Sequence, residues 1–202
     1  MDEPAPLKPR KQPRQQRSAF MVEMILAAAA RVLEQHGLDG FNTNHIAAVA
    51  GISIGSLYQY FPNKHAVMAA LIDHAQSGLV QSIGVALAEA RGLPLAAGLR
   101  RLIRAAIAYQ FESPRLALVL DYEEQRLPVA ATLATTARLV RGQVRGLLEA
   151  HRAGIAAADL DLAADDLLAL VRALIDAAAR RPAPDLDALE ERLLKAALGY
   201  LA

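Results

Sequence analysis

A chain of 202 residues with formal net charge +1 can bury a sizeable core as one or two domains and has no overall electrostatic bias toward a partner. Hydrophobic residues make up 54% and aromatics only 4%, with alanine and leucine dominant, a balance that favours helices over strands. The absence of cysteine excludes a disulfide framework, thiolate chemistry and a cysteine metal site. No uncharged apolar run reaches the roughly eighteen residues a membrane span needs, so no membrane partner is expected.

Met1 to Arg17 is polar and proline-bearing, without the apolar segment of a secretory signal, so the cytoplasm is the expected location. Lys8, Arg10, Lys11, Arg14 and Arg17 crowd this stretch among Pro4, Pro6, Pro9 and Pro13. With almost nothing apolar to bury, residues 1–17 read as a disordered basic arm. It is either simply solvated or a basic arm that lies on DNA phosphates or in the minor groove near the first helix, and the two are compatible if it orders on DNA.

From Ser18 to His36, Met21, Ile25, Ala28 and Val32 share one face of a first helix. A second helix is expected over Thr43 to Ala50, polar at Asn42/Thr43 and apolar at Ile46, Ala47, Val49 and Ala50. Gly51 follows, where a helix ending in the left-handed conformation needs a residue without Cβ. Ser53 can then cap a third helix over about Ile54 to Phe61. Leu57 and Phe61, four apart, face inward and leave Ile54, Gly55, Ser56, Tyr58, Gln59 and Tyr60 outside. This is the build of a helix-turn-helix whose second helix suits a DNA major groove. Pro62 stops it, Asn63 can cap a fourth helix from Lys64 to about Ala90, and Gly92-Leu93-Pro94 ends that helix.

The outer face suggests roles by chemistry. Thr43 and Asn44 open the second helix, where free N–H groups and the dipole favour phosphate. Lys64 is a mobile cation for a flanking phosphate. The Tyr58 and Tyr60 hydroxyls suit phosphates, the Tyr58 ring and Ile54 suit a thymine methyl, and Gln59 and Ser56 can take a base edge or a backbone oxygen. Gly55 allows close approach. Either tyrosine can instead pack under the head. His45 and His65 stand without a partner at ligand spacing, as do His36 and His74, so no metal is expected and local capping or solvation is the simpler reading.

The spacing of Ile46-Ala47, Ala50-Gly51-Ile52-Ser53, Gly55-Ser56-Leu57-Tyr58 and Tyr60-Phe61-Pro62-Asn63-Lys64 resembles the DNA-binding domain of the TetR (tetracycline-repressor-like) family of one-component regulators. The resemblance runs from the first helix through Leu38, Gly40 and Phe41 into the helix after Lys64, and covers about a quarter of the chain. It implies a helix-turn-helix domain over 18–63, a helical ligand-binding and dimerisation domain over 64–202, and Ser53 with the outer-face residues as the DNA-binding set. It further implies a homodimer on a palindromic double-stranded operator, most commonly a repressor, released by a small effector and using no cofactor.

Beyond Pro94 five more helices are expected: Leu95–Gln110, Pro114–Tyr122, Val129–His151, Leu162–Arg180 and Leu186–Leu201, with Asp161 and Asp185 as caps. The expected fold is therefore all-α, a three-helix head and a larger bundle, about nine helices in total. Leu167, Leu168, Leu170, Val171, Leu174 and Ile175 form one broad apolar face, and Leu186, Leu189, Leu193, Leu194, Ala197 and Leu201 another. These close the monomer core, or in part pair with a second copy as in the family, helped by the small Ala164, Ala169, Ala173 and Ala177. Ile103, Ile107, Tyr109, Phe111, Tyr122 and Val140, with Leu102, Leu118, Leu120 and Leu133, could line an effector pocket or simply be core. Arg104, Arg138, Arg141, Gln143 and Arg172 could anchor a polar group there. The lining suits an apolar or partly aromatic effector. The alternative is a DNA binder of the same fold acting structurally or through a protein partner. An enzyme built on Asp121, Glu123, Glu124, Asp165 and Asp166 lacks a nucleophile–base pair, a phosphate loop or metal spacing, so no catalytic residue is expected.

Overall fold

The structure, a computed structural model, describes residues 16–202, with side chains from Ser18. The greater part of the basic arm, including Lys8, Arg10, Lys11 and Arg14, lies outside the described residues. Nine α-helices and no strand occur among the described residues. They are α1 (Gln16–His36), α2 (Thr43–Ala50), α3 (Ile54–Tyr60), α4 (Lys64–Ala90), α5 (Leu95–Glu112), α6 (Pro114–Glu124), α7 (Ala130–Ala150), α8 (Leu160–Ala179) and α9 (Leu186–Leu201), with a 3-10 turn at Arg152–Gly154 before α8.

The all-α expectation holds; the ends of α3 and α5 to α8 shift by one or two residues from the sequence reading, and two helix starts also differ. Helix α1 starts at Gln16, so Gln16 and Arg17 are helical rather than part of the arm. Helix α8 starts two residues early because Asp159, not Asp161, caps it: its carboxylate accepts from the N–H groups of Asp161 and Leu162. A cap must have extended backbone, and Asp159 does at φ −109° and ψ 108°, while Asp161 already lies in the first turn.

The chain divides into two compact units, one containing residues 16–75 and 115–131, the other 76–114 and 132–202. The division falls within α4, which runs uninterrupted from Lys64 to Ala90.

In the first unit Ile25, Ala28, Ala29, Val32 and Leu33 of α1 are buried with Ile46, Leu57, Phe61, Val67 and Ile72. Each valine, leucine, isoleucine or phenylalanine side chain so removed from water contributes about 1.5–3 kcal/mol, which anchors helices as short as α2 and α3. In the second unit Leu99, Leu102 and Ile103 of α5 join Val144, Leu147 and Leu148 of α7, Leu167 of α8 and Leu193 of α9 in one cluster. Helix α5 comes close to α7 at Gly98, where an added Cβ would lie 3.0 Å from Leu147 Cδ1. Buried Glu190 on α9 accepts from Arg104 Nε at 2.7 Å and from Arg100, while Arg100 also pairs with Glu191. Burial pushes the Glu190 carboxyl upward, but the bonds from Arg104 and Arg100 outweigh it and hold the group below the usual carboxylate range. The Arg100 bond does the same for Glu191.

Candidate nucleic-acid interface

The turn between α2 and α3 is fixed by local chemistry. Asn42 has extended backbone at φ −142° and its side-chain oxygen accepts from His45 N at 2.9 Å, which starts α2. Gly51 ends α2 at φ 69°, where any side chain would be strained, and Ile52 N donates to Ala47 O at 3.0 Å. Ser53 then caps α3, accepting from Ser56 N at 3.0 Å, and the two serine hydroxyls share a 2.8 Å bond. Asn63 caps α4 through Ala66 N at 2.9 Å.

Leu57 and Phe61 are fully buried, so α3 turns the opposite face to solvent. Ser53, Ile54, Gly55, Tyr58 and Gln59 are exposed there, while Ser56 and Tyr60 are half-buried. At the start of α2 Asn44 is exposed and Thr43 half-buried, and Lys64 is exposed at the start of α4. Tyr60 is thus the tyrosine that packs partly inward; Tyr58, 41% exposed, does not. All ten residues of the expected DNA-binding set belong to the one unit.

Two contacts within this unit have no counterpart in a spacing rule. The hydroxyls of Thr43 and Tyr58 lie 3.2 Å apart, joining the start of α2 to the exposed face of α3. The His36 and His45 rings meet in a tilted contact, centroids 4.6 Å apart, and His45 Nδ1 donates to Gly40 O at 3.1 Å. The two histidines therefore brace the loop ahead of α2. Gly40 is the residue that permits this, because a Cβ there would fall 2.3 Å from His36 Cβ. Among the described residues no group of three metal-ligating side chains occurs.

An exposed helix carrying hydroxyl, amide and apolar groups, preceded by a helix whose N-terminus presents free N–H groups, can dock in a major groove and hold phosphates on its flank. Residues 25–71 match the family model of bacterial regulatory proteins of the tetR family, and residues 94–201 match the tetracyclin repressor-like C-terminal domain. The chain belongs to the TetR family.

It is accordingly a DNA-binding transcriptional regulator and not an enzyme. Similar solved structures include a Mesorhizobium loti protein assigned to the TetR family, with TM-score 0.75, 22% identity and coverage of 92% of this chain and 98% of that one. The fatty acid degradation regulator FadR of Bacillus halodurans follows at 0.71 and 20%, with 93% and 96% covered. SmeT, the repressor of the Stenotrophomonas maltophilia multidrug efflux pump SmeDEF, matches at 0.68 and 22%, with 88% of each chain covered. At these identities the likeness shows the fold. No curated protein matches.

In this TetR-family chain the candidate effector residues are dispersed. Ile103 and Val140 line an apolar cavity of about 60 Å³ in the second unit, together with Ile83, Leu102, Val144 and Leu167. Ile107 is buried and Phe111 half-buried in the same core, and Tyr109 is half-buried on α5. Tyr122 belongs to the first unit, is 50% exposed and accepts from Arg126 at 2.6 Å. Among the possible anchors, Arg104 pairs with Glu190, Arg141 with Asp165 at 2.8 Å, and Arg172 with Asp176, while Arg138 is exposed. No helix of the described residues is long and apolar enough to cross a membrane.

Proposed function

We propose that this TetR-family regulator is a homodimeric repressor that a small, largely apolar effector releases from a palindromic operator. The observation that carries the reading is the all-hydrocarbon cavity of the second unit, whose wall includes Ile83 of α4, the helix that begins at Lys64 beside the DNA-binding face. A ligand that binds the DNA-incompetent state better shifts the equilibrium by its differential affinity, typically about 1–3 kcal/mol of coupling. A repressor of an efflux pump and a regulator of fatty acid degradation among the similar structures favour repression and apolar chemistry.

On DNA, Thr43, Asn44, Tyr58, Tyr60 and Lys64 hold phosphates, and Ile54, Ser56 and Gln59 face base edges across the approach that Gly55 leaves open. Ser53 contributes by fixing α3, since its hydroxyl is engaged by Ser56. The second copy docks on the outer face of α8 and α9, where Leu162, Ala169, Ala173 and Gly199 are exposed around the Tyr200–Asp166 hydrogen bond.

Selection of bound fragments from genomic DNA, followed by mobility shifts in a salt series, tests the reading. The expected result is one palindromic site, bound with a log-affinity that falls steeply as salt rises and released by an apolar compound. Binding that no small molecule weakens would leave a DNA binder acting through a protein partner.

A further inference from the structure

We propose that the open groove between α4 and α5 is a second ligand site, built for a carboxylate with an aliphatic chain. The groove offers about 860 Å³ and shares no lining residue with the small apolar cavity, so it stands apart from the effector-release reading above. Its floor is hydrocarbon, from Val85 and Ala86 of α4, Ala97 and Ala105 of α5, and Leu194 of α9. Val85 is 54% exposed, an aliphatic side chain left in water beside small alanines. The lining on α5 runs from Ala96 to Ala108, about 18 Å of helix at ~1.5 Å per residue. A groove of that length and volume suits a chain better than a compact ring.

The charged side chains of the same lining are Arg100, Arg101, Arg104 and Glu89, three cations against one anion. Arg100 is committed to Glu190 and Glu191 of α9. Arg104 gives only its Nε to Glu190, at 2.7 Å, and its Nη1 and Nη2 have no partner among the described residues. Arg101 gives only its Nη1 to Glu89, at 2.5 Å, which leaves Nε and Nη2 without a partner among the described residues. Arg101 and Arg104 are three residues apart on α5 and so are neighbours on the helix surface.

The chemistry of these two groups restricts the ligand. A guanidinium donates hydrogen bonds, accepts none and keeps its charge, so whatever fills its open positions must be an acceptor, and an anion is held best. Its planar fork matches the two oxygens of a carboxylate. The competing pair is weak: the Arg101 and Glu89 side chains are 48% and 54% exposed, and ion pairs so open to water add little stability. A ligand carboxylate can therefore take Arg101 from Glu89 while its chain covers Val85 and the alanines.

Decanoate and decan-1-ol, which share a chain and differ in the charged head, are titrated by calorimetry into the full-length chain. Decanoate should saturate one site per chain and bind about 10-fold more tightly than the alcohol. Arg101→Gln should weaken decanoate about 10-fold and leave decan-1-ol unchanged. Glu89→Gln, which frees Arg101, should instead tighten decanoate several-fold. Both substitutions fall on exposed side chains, so folding is preserved; Arg104 is the poorer probe because it also holds the buried Glu190. Opposite shifts from the two variants cannot come from detergent-like adsorption of the chain. Decanoate that does not saturate, that binds no better than the alcohol, or that ignores both substitutions overturns the proposal. Decanoate binding with the expected shifts but unchanged operator affinity in a mobility shift supports the groove, and shows that this ligand is not the one that releases DNA.

Discussion

Two hydroxyls 3.2 Å apart can share only one proton between them, so the Thr43–Tyr58 pair keeps one O–H free to donate outward. The pairing also holds Tyr58, an exposed ring, in one orientation, which lowers the entropy cost of placing it on a phosphate. Thr43→Val and Tyr58→Phe should each weaken operator binding by about 1 kcal/mol, near 5-fold. The double variant should lose clearly less than the sum, because the two groups act as a unit. Strict additivity in a mobility-shift cycle would mean that the hydroxyls work independently. A second residue-scale expectation concerns Gly40. Replacing it by alanine drives a Cβ into His36 and should destabilise the first unit by about 1–3 kcal/mol, read as a lower thermal midpoint. The sequence named Thr43 and Tyr58 separately, since each has the right chemistry at a helix start or outer face. Their partnership spans fifteen residues and depends on how α3 crosses α2, which no local pattern encodes. The misplaced cap of α8 has the same origin: Asp159 and Asp161 are equally good caps by side chain, and only backbone angles choose between them.

Helices themselves were far more legible. Leu57 and Phe61 are buried and Ile54 and Tyr58 exposed, as the four-residue spacing implied, because a helix carried by one apolar stripe has a single face to bury. Function at this scale divides between the ends and the face. Lys64→Ala should weaken binding to every sequence alike and reduce the salt slope by about one, whereas Ile54→Ala should relax preference at one or two base pairs. Selection experiments on both variants check this, and the reverse pattern would exchange the two roles. What the sequence could not convey is how α5 and α9 are joined, ninety residues apart, through Arg100, Arg104 and Glu190. Because Glu190 titrates below the ordinary carboxylate range, its contribution to stability is complete above the unfolded-state value near 4.3 and is lost as pH falls through the lower folded value. Glu190→Gln should therefore cost about 1–3 kcal/mol at neutral pH. Its midpoint should also fall less steeply than that of the natural protein as the solution is acidified below about pH 4. Parallel acid profiles would mean that other carboxylates govern the transition.

At the scale of the whole molecule, one helix-turn-helix reads too little DNA to be selective, and two copies at fixed spacing multiply affinity without any new contact. The proposed docking face has the composition for this. Ala169 and Ala173 are exposed on α8 and Gly199 on α9, so a second pair of helices can approach closely. Ala164 of the same helix is fully buried and belongs to the monomer core, so the small residues noted in the sequence serve two different surfaces. Ala173→Glu places a carboxylate in the middle of the outer face. Since Ala173 is exposed in the single chain, the substitution should leave the stability of the isolated chain within about 0.5 kcal/mol of the original. Sedimentation should nevertheless show a monomer, because each copy would bring an unpaired charge into a closed interface. Operator affinity should then drop by two or more orders of magnitude while weak, salt-sensitive binding to any duplex persists, because the head itself is untouched. If the variant remains a dimer with full affinity, the two copies meet elsewhere, and the spacing of the half-sites must be set by a different surface.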